Sequence, residues 1–174
     1  DVKGNPSSEA ELLRQIAGLH SLAGRFDTAR ELFAQSNAGF AELGLALNSV
    51  LSHAAAVAEM LAGNFSDAER RLRDGYEALA AMGENALRST SAAFLSRAIL
   101  EQGRSDEAER YTAASETLAE PEDLLTQMVW RGVRARILCE RGRVADGEAL
   151  ARQDVALAER TDLVNFHADA LLDL

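Results

Sequence analysis

Arg97 and Arg136 stand 39 residues apart, and each lies six residues before a glycine, Gly103 or Gly142. A guanidinium is a planar fork of N–H donors that meets a carboxylate or a phosphate through two parallel hydrogen bonds. Two forks at equivalent places in neighbouring structural units would make a surface that reads anions. Arg131, Arg134, Arg141 and Arg143 widen it into a local basic cluster. The same arginines have a second use, because Glu101, Glu140 and neighbouring acids stand ready to pair with them. An exposed pair of that kind is worth only about 0–1 kcal/mol. Both uses stay open at the level of sequence.

Other chemistry finds little support. The one lysine, in Val2-Lys3-Gly4-Asn5, lacks the flanking glycines and the following Ser or Thr of a phosphate-binding loop. His20, His53 and His167 are far apart and form no His-x-x-x-His pair, so no metal is expected. Cys139 reads as a small packing residue near a helix end, with no sequence-near base to activate it. Trp130, Met128, Val133 and Ile137 share one face at helical spacing and read as core; a binding role for Trp130 requires an exposed ring. No cofactor is expected, and the chain is not expected to be an enzyme by itself.

The elements that must position these residues are helices. Apolar residues make up 47% of the chain and aromatics 5%, and alanine recurs in runs such as Ala54-Ala55-Ala56, which favours closely packed helices over a sheet sandwich. No stretch alternates polar and apolar residues between turn dipeptides. A net charge of −10 argues against a direct nucleic-acid partner, which needs a basic face to neutralise phosphates. With a single cysteine, neither a disulfide framework nor a thiolate zinc site can be built. No apolar run is long enough to span a membrane, no export signal opens the sequence, and a reducing cytoplasm is the expected location. Starting at Asp1 and stopping in mid-pattern at Leu174, the sequence reads as a piece of a longer protein.

Four similar turns recur: Gly24-Arg25-Phe26-Asp27-Thr28-Ala29, Gly63-Asn64-Phe65-Ser66-Asp67-Ala68, Gly103-Arg104-Ser105-Asp106-Glu107-Ala108 and Gly142-Arg143-Val144-Ala145-Asp146-Gly147, with glycines 39, 40 and 39 residues apart. A fixed period of this kind marks a stacked array of helix-turn-helix units. Glycine closes the first helix in the left-handed conformation at no Cβ cost. Ser66 with Glu69 fits a capping box, and Asp106 and Glu107 put negative charge at the start of the next helix. A small residue recurs seven positions before each glycine, at Ala17, Ala56, Ser96 and Ala135, and another five after it, at Ala29, Ala68, Ala108 and Gly147. Helices can approach closely there.

The period predicts first helices at about 8–23, 45–62, 85–102 and 122–141, second helices at about 27–42, 66–82, 105–119 and 145–160, and a ninth from about 162. Pro121 falls at the first turn of its helix. Residues 1–6 are expected as a flexible segment, and 7–174 as one helical repeat domain.

The small residue, the turn glycine, the apolar residue two positions later and the alanine three after that resemble the tetratricopeptide (TPR) repeat, whose usual period is about 34 residues. Here the period is 39 to 40, which implies longer helices. Residues 127–174 are similar to the C-terminal repeats of bacterial adenylate-cyclase-like and LuxR-type signalling ATPases, especially Gln127, Trp130 to Arg136, Glu159-Arg160-Thr161-Asp162 and Ala168 to Leu174. The resemblance implies an all-α, right-handed superhelical solenoid of about four repeats plus one helix, whose first helices line a concave groove. Counting back from each glycine, the implied groove positions are Arg14, His53, Ala93 and Gly132 at ten, Gly18, Val57, Arg97 and Arg136 at six, and Ser21, Met60, Leu100 and Cys139 at three. Arg131 adjoins them.

The expected function is a protein-interaction or intramolecular regulatory scaffold within a bacterial signalling ATPase or transcription regulator. Its partners would be an acidic protein or peptide, or other domains of the same chain. The alternative is a receptor domain that takes a peptide or small ligand in the groove. A homodimer through the C-terminal face of Leu163, Phe166, Leu171 and Leu174 is a further expectation.

Overall fold

A computed structural model describes residues 5–174. The described residues form ten helices and no strand: α1 (Pro6–Leu22), α2 (Phe26–Glu42), α3 (Ala46–Val50), α4 (His53–Leu61), α5 (Phe65–Met82), α6 (Asn85–Leu100), α7 (Ser105–Leu118), α8 (Leu124–Glu140), α9 (Val144–Ala158) and α10 (Val164–Asp173). The all-α reading therefore holds. Residues 1–4 of the expected flexible segment, with Lys3, lie outside the described residues. Asn5 caps α1 by accepting from the Ser7 N–H at 3.1 Å, and Pro6 opens the helix where its missing N–H goes unused.

The four turn glycines have φ of 72°, 77°, 76° and 78°. In each, the residue after the glycine donates its N–H back to the helix just ended: Arg25 to the His20 carbonyl at 2.9 Å, Asn64 to Glu59 at 2.8 Å, Arg104 to Ile99 at 3.4 Å, Arg143 to Leu138 at 2.9 Å. This bond ties off a helix end that the chain must leave sharply, and only a residue tolerant of positive φ permits it. Gly44 and Gly83 end the second helices of two repeats with φ of 70° and 75°, a second set of closures that the first period does not include.

The small positions do what their size allows. Ala17, Ala56, Ser96 and Ala135 are all buried, as are Ala29, Ala68, Ala108 and Gly147.

By internal packing the chain divides into two compact units, one ending at Ala81 and the other beginning at Met82. In the first, α1 pairs with α2, α4 packs on both, and the core gathers Ala17, Ala29, Phe33, Ala55 and Ala58. In the second, α6 pairs with α7 and α8 with α9, α6 and α8 lie side by side, and α10 packs on both α8 and α9. Met128, Ala158 and Ala170 form a core there with Phe166 against it.

Three expectations need correction. The helix expected at 45–62 is broken: Leu51 is extended at ψ 107°, which separates α3 from α4. The break is seated on α5, where the Ser52 hydroxyl donates to the Arg71 carbonyl at 3.1 Å. Gly75 makes the room, since a Cβ there would lie 2.8 Å from Ser52 Oγ and 3.2 Å from the Val50 carbonyl oxygen. Pro121 lies in a turn before α8, whose cap is Asp123, accepting from the Thr126 N–H at 3.2 Å and its hydroxyl at 2.6 Å. Ser66 is not a cap, because α5 already begins at Phe65, and Glu69 instead accepts from Arg73 Nε at 2.8 Å.

Candidate functional site

In the second unit, Arg97 sits near the end of α6 and Arg136 near the end of α8, so the regular period brings equivalent residues onto adjacent helices. They line one small cleft with Met128, Val129 and Gly132 of α8, Asp154 of α9, and Phe166, Asp169 and Asp173 of α10. Its volume is about 20 Å³, room for about one water. Both arginines already hold carboxylates. Arg97 Nη1 donates to Asp169 Oδ2 at 2.6 Å, and Arg136 Nη1 donates to Glu101 Oε1 at 2.5 Å, with Asp173 Oδ1 3.8 Å from its Nε. The Phe166 ring seats α10 against Phe94 of α6, with centroids 5.9 Å apart.

The acid facing these arginines from α9 is unusual. Asp154 is 4% exposed, and its Oδ1 has no hydrogen-bond partner. Burial pushes its carboxyl up to about 7, the nearby Asp173 carboxylate adding to the rise and Arg131 opposing it. Burial likewise raises Asp173, with Arg136 opposing.

In the first unit the expected positions Arg14 and His53, equivalent residues one repeat apart, line a roomier cleft of about 200 Å³ with Phe33, Asn37, Leu51, Ala54 and Ala55. The break between α3 and α4 borders it through Leu51. Arg14 is fixed in place, donating through Nη2 to the Asn48 carbonyl at 2.6 Å and lying 4.6 Å over the Phe40 ring. Its nearer carboxylate, Glu11, stands 3.8 Å away. Burial lowers the Arg14 guanidinium below its ordinary value, with Glu11 opposing.

The remaining candidates are placed differently. Val57 and Met60 are half-buried on α4 and do not line that cleft. Leu100 is buried, and so offers little to a ligand. Arg131 lies 4.2 Å over the Trp130 ring and donates to the Gln127 carbonyl at 2.8 Å and to its side-chain oxygen. Trp130, at 4% exposure, is a core residue and not a contact surface. Arg134 pairs with Glu116 at 2.6 Å, Arg141 with Asp106 and Glu109 at 2.7 and 2.8 Å, and Arg143 with Asp146 at 2.8 Å. Among the described residues no group of three or more His, Cys, Asp or Glu could hold a metal ion, and no helix is long and apolar enough to cross a membrane.

Sequence reasoning passed over Asp154, Asp169 and Asp173. A signal existed for the first: Gly147, Ala151, Asp154 and Ala158 share the buried face of α9, and a carboxylate on such a face calls for an explanation.

Helical hairpins closed by a recurrent left-handed glycine and packed through small residues define a TPR-like repeat fold. Two solved structures share it, both of the nearly identical TPR-like repeats of a Podosopora anserina protein assigned as a kinesin light chain. One, a single-substitution variant, aligns with a TM-score of 0.66 at 22% identity over 98% of this chain and 84% of that one. The other aligns with a TM-score of 0.65 at 22% identity over 97% and 83%. No protein-family model matches the sequence, and no curated protein matches it.

Proposed function

We propose that the chain is a protein-interaction scaffold that reads acidic peptide segments, working in the cytoplasm within a bacterial signalling ATPase or transcription regulator. TPR-like repeats generally mediate protein–protein contacts, and stacked repeats present extended surfaces for them. The observation that carries the reading is the pairing of equivalent residues: Arg97 and Arg136 both engage carboxylates, Asp169 and Glu101, on adjacent helices. An acidic partner, whether a separate protein or another domain of the same chain, would exchange for those carboxylates. The parent class rests on the likeness of residues 127–174 to signalling-ATPase repeats.

Fluorescence anisotropy with acidic peptides tests the scaffold reading. Hydrogen bonds to charged groups are worth about 1.5–3 kcal/mol each. Arg97→Ala combined with Arg136→Ala should therefore weaken binding by at least about tenfold. Equal affinity in the double variant would remove the arginines from the interface.

A second reading, a receptor for a peptide or small ligand, is favoured by the cleft of about 200 Å³ around Arg14 and His53. A small carboxylate whose binding is abolished by Arg14→Ala would support it; equal binding would count against it. Self-association through α10 is a further expectation, since Leu163, Leu171 and Leu174 are exposed. Light scattering across a dilution series checks this, and a constant monomer mass rejects it.

A further inference from the structure

Gly132 of α8 is the point where carboxylates from two other helices converge. A Cβ there would lie 2.8 Å from Asp173 Oδ2 of α10 and 2.9 Å from Asp154 Oδ2 of α9. The missing side chain is thus the space into which both acids reach. Asp154 is buried with one oxygen unpartnered. Two ionised carboxylates in such a site repel each other, and a buried charge without a partner is strongly disfavoured, so a proton on one of the two acids relieves both costs.

The surroundings decide which acid that is. From α6, Arg97 faces the cleft and binds Asp169; from α8, Arg136 stands 3.8 Å from Asp173, and Glu101 follows α6 and binds Arg136. Arg136 and Arg97 therefore favour the charged form of Asp173, against its burial. From α9 only Asp154 lines the cleft, and the one arginine that favours its charged form most, Arg131, is turned to Trp130 and Gln127. The cleft's volume of about 20 Å³ admits a water that can carry a proton in and out, and nothing larger.

We propose that Asp154 and Asp173 share one proton across Gly132, and that this proton clasps α10 to the α8–α9 hairpin. The proton resides on Asp154 and is donated toward the Asp173 carboxylate. When it leaves to solvent, Asp154 becomes an anion facing Asp173 and Asp169, and the seat of α10 is weakened. The Asp154 carboxyl stands near 7 in the fold, against an ordinary value of 3.8. The stabilisation is thus complete below the ordinary value and is lost as pH rises to the folded one. Docking of α10 is consequently sensitive to pH close to neutrality.

Amide hydrogen exchange of residues 164–173 in the full chain, corrected for intrinsic rates and followed from about pH 6 to about pH 8, reads the clasp directly. The expected result is a several-fold increase in opening of α10 for the wild type. Asp154→Asn, which keeps a donor for Asp173 and cannot ionise, should show a flat profile. Carboxyl carbon NMR of the wild type should place the Asp154 midpoint well above the ordinary value, and Asp173→Asn should lower it. The proposal is overturned if Asp154 titrates in the ordinary carboxylate range, if wild type and Asp154→Asn open alike with pH, or if Asp173→Asn leaves the Asp154 midpoint unmoved.

Discussion

Glu59 of α4, 3% exposed, receives the guanidinium of Arg30 from α2 side on, with Arg30 Nε 3.0 Å from Oε1 and Nη2 2.9 Å from Oε2. Asn64 adds a hydrogen bond at 3.0 Å, and Arg71 stands 3.8 Å away. The pair is asymmetric, because the acid is buried and the arginine is not. Removing the base strands a buried carboxylate, whereas neutralising the acid leaves a cation that water can reach. Glu59→Gln should cost about 1–3 kcal/mol in urea unfolding. Arg30→Ala should cost more than Glu59→Gln, and the reverse order would show that the carboxylate is not the dependent partner.

Two buried acids should bend the pH profile of stability in opposite directions. The hydrogen bond from Arg30 holds Glu59 below its ordinary value of 4.5, so its contribution is present above that value and is lost as pH falls through the folded one. Asp154, raised to about 7 chiefly by burial, contributes most in acid and loses its contribution as pH rises from 3.8 toward 7. Thermal unfolding across this range should show Asp154→Asn abolishing the decline on the neutral side. Glu59→Gln should blunt the decline on the acid side. Identical profiles for wild type and both variants would remove these acids as the cause.

The fourth repeat has glycine where the other three have alanine, and close approach to both Cys139 and the α8 backbone accounts for it. A Cβ at Gly147 would lie 2.5 Å from Cys139 Sγ, 2.8 Å from the Ala135 carbonyl oxygen and 3.4 Å from the Cys139 amide nitrogen. Gly147→Ala should therefore destabilise by about 1–3 kcal/mol despite the gain in helix propensity. Adding Cys139→Ala should recover only part of this, since the backbone carbonyl cannot move aside as a thiol can. Full recovery in the double variant, measured by chemical denaturation, would assign the whole clash to sulfur.

What can be read from the sequence follows how local each cause is. Gly24, Gly63, Gly103 and Gly142 announce the turns because positive φ is a property of a single residue, and Ala17 or Ala108 announces close approach because size is too. The break at Leu51 is hidden, since Leu51 and Ser52 are ordinary helix residues and the cause lies on α5, in Gly75 and the Arg71 carbonyl. Arg97 and Arg136 are found by period, but the Asp169 that meets Arg97 lies 72 residues away, where no spacing rule reaches. Asp154 stands between those cases: its face is readable, its neighbour Asp173 is not.

Trp130, the single tryptophan, offers a report on the second unit that needs no label. Its ring carries the guanidinium of Arg131 at 4.2 Å and that of Arg134 at 4.8 Å, and its Nε1 donates to the Gln127 side-chain oxygen at 3.1 Å. With its indole buried and its N–H satisfied, the residue acts as core and as an anchor for two guanidinium planes. Emission should lie well to the blue of free tryptophan and shift red on unfolding. Trp130→Ala, which removes the packing and leaves Gln127 without that donor, should cost about 3–5 kcal/mol. Trp130→Phe should cost less, because it keeps a ring face for both arginines and loses chiefly the hydrogen bond. An equal loss in both variants would mean that the Gln127 contact, and not ring packing, holds this part of α8 together.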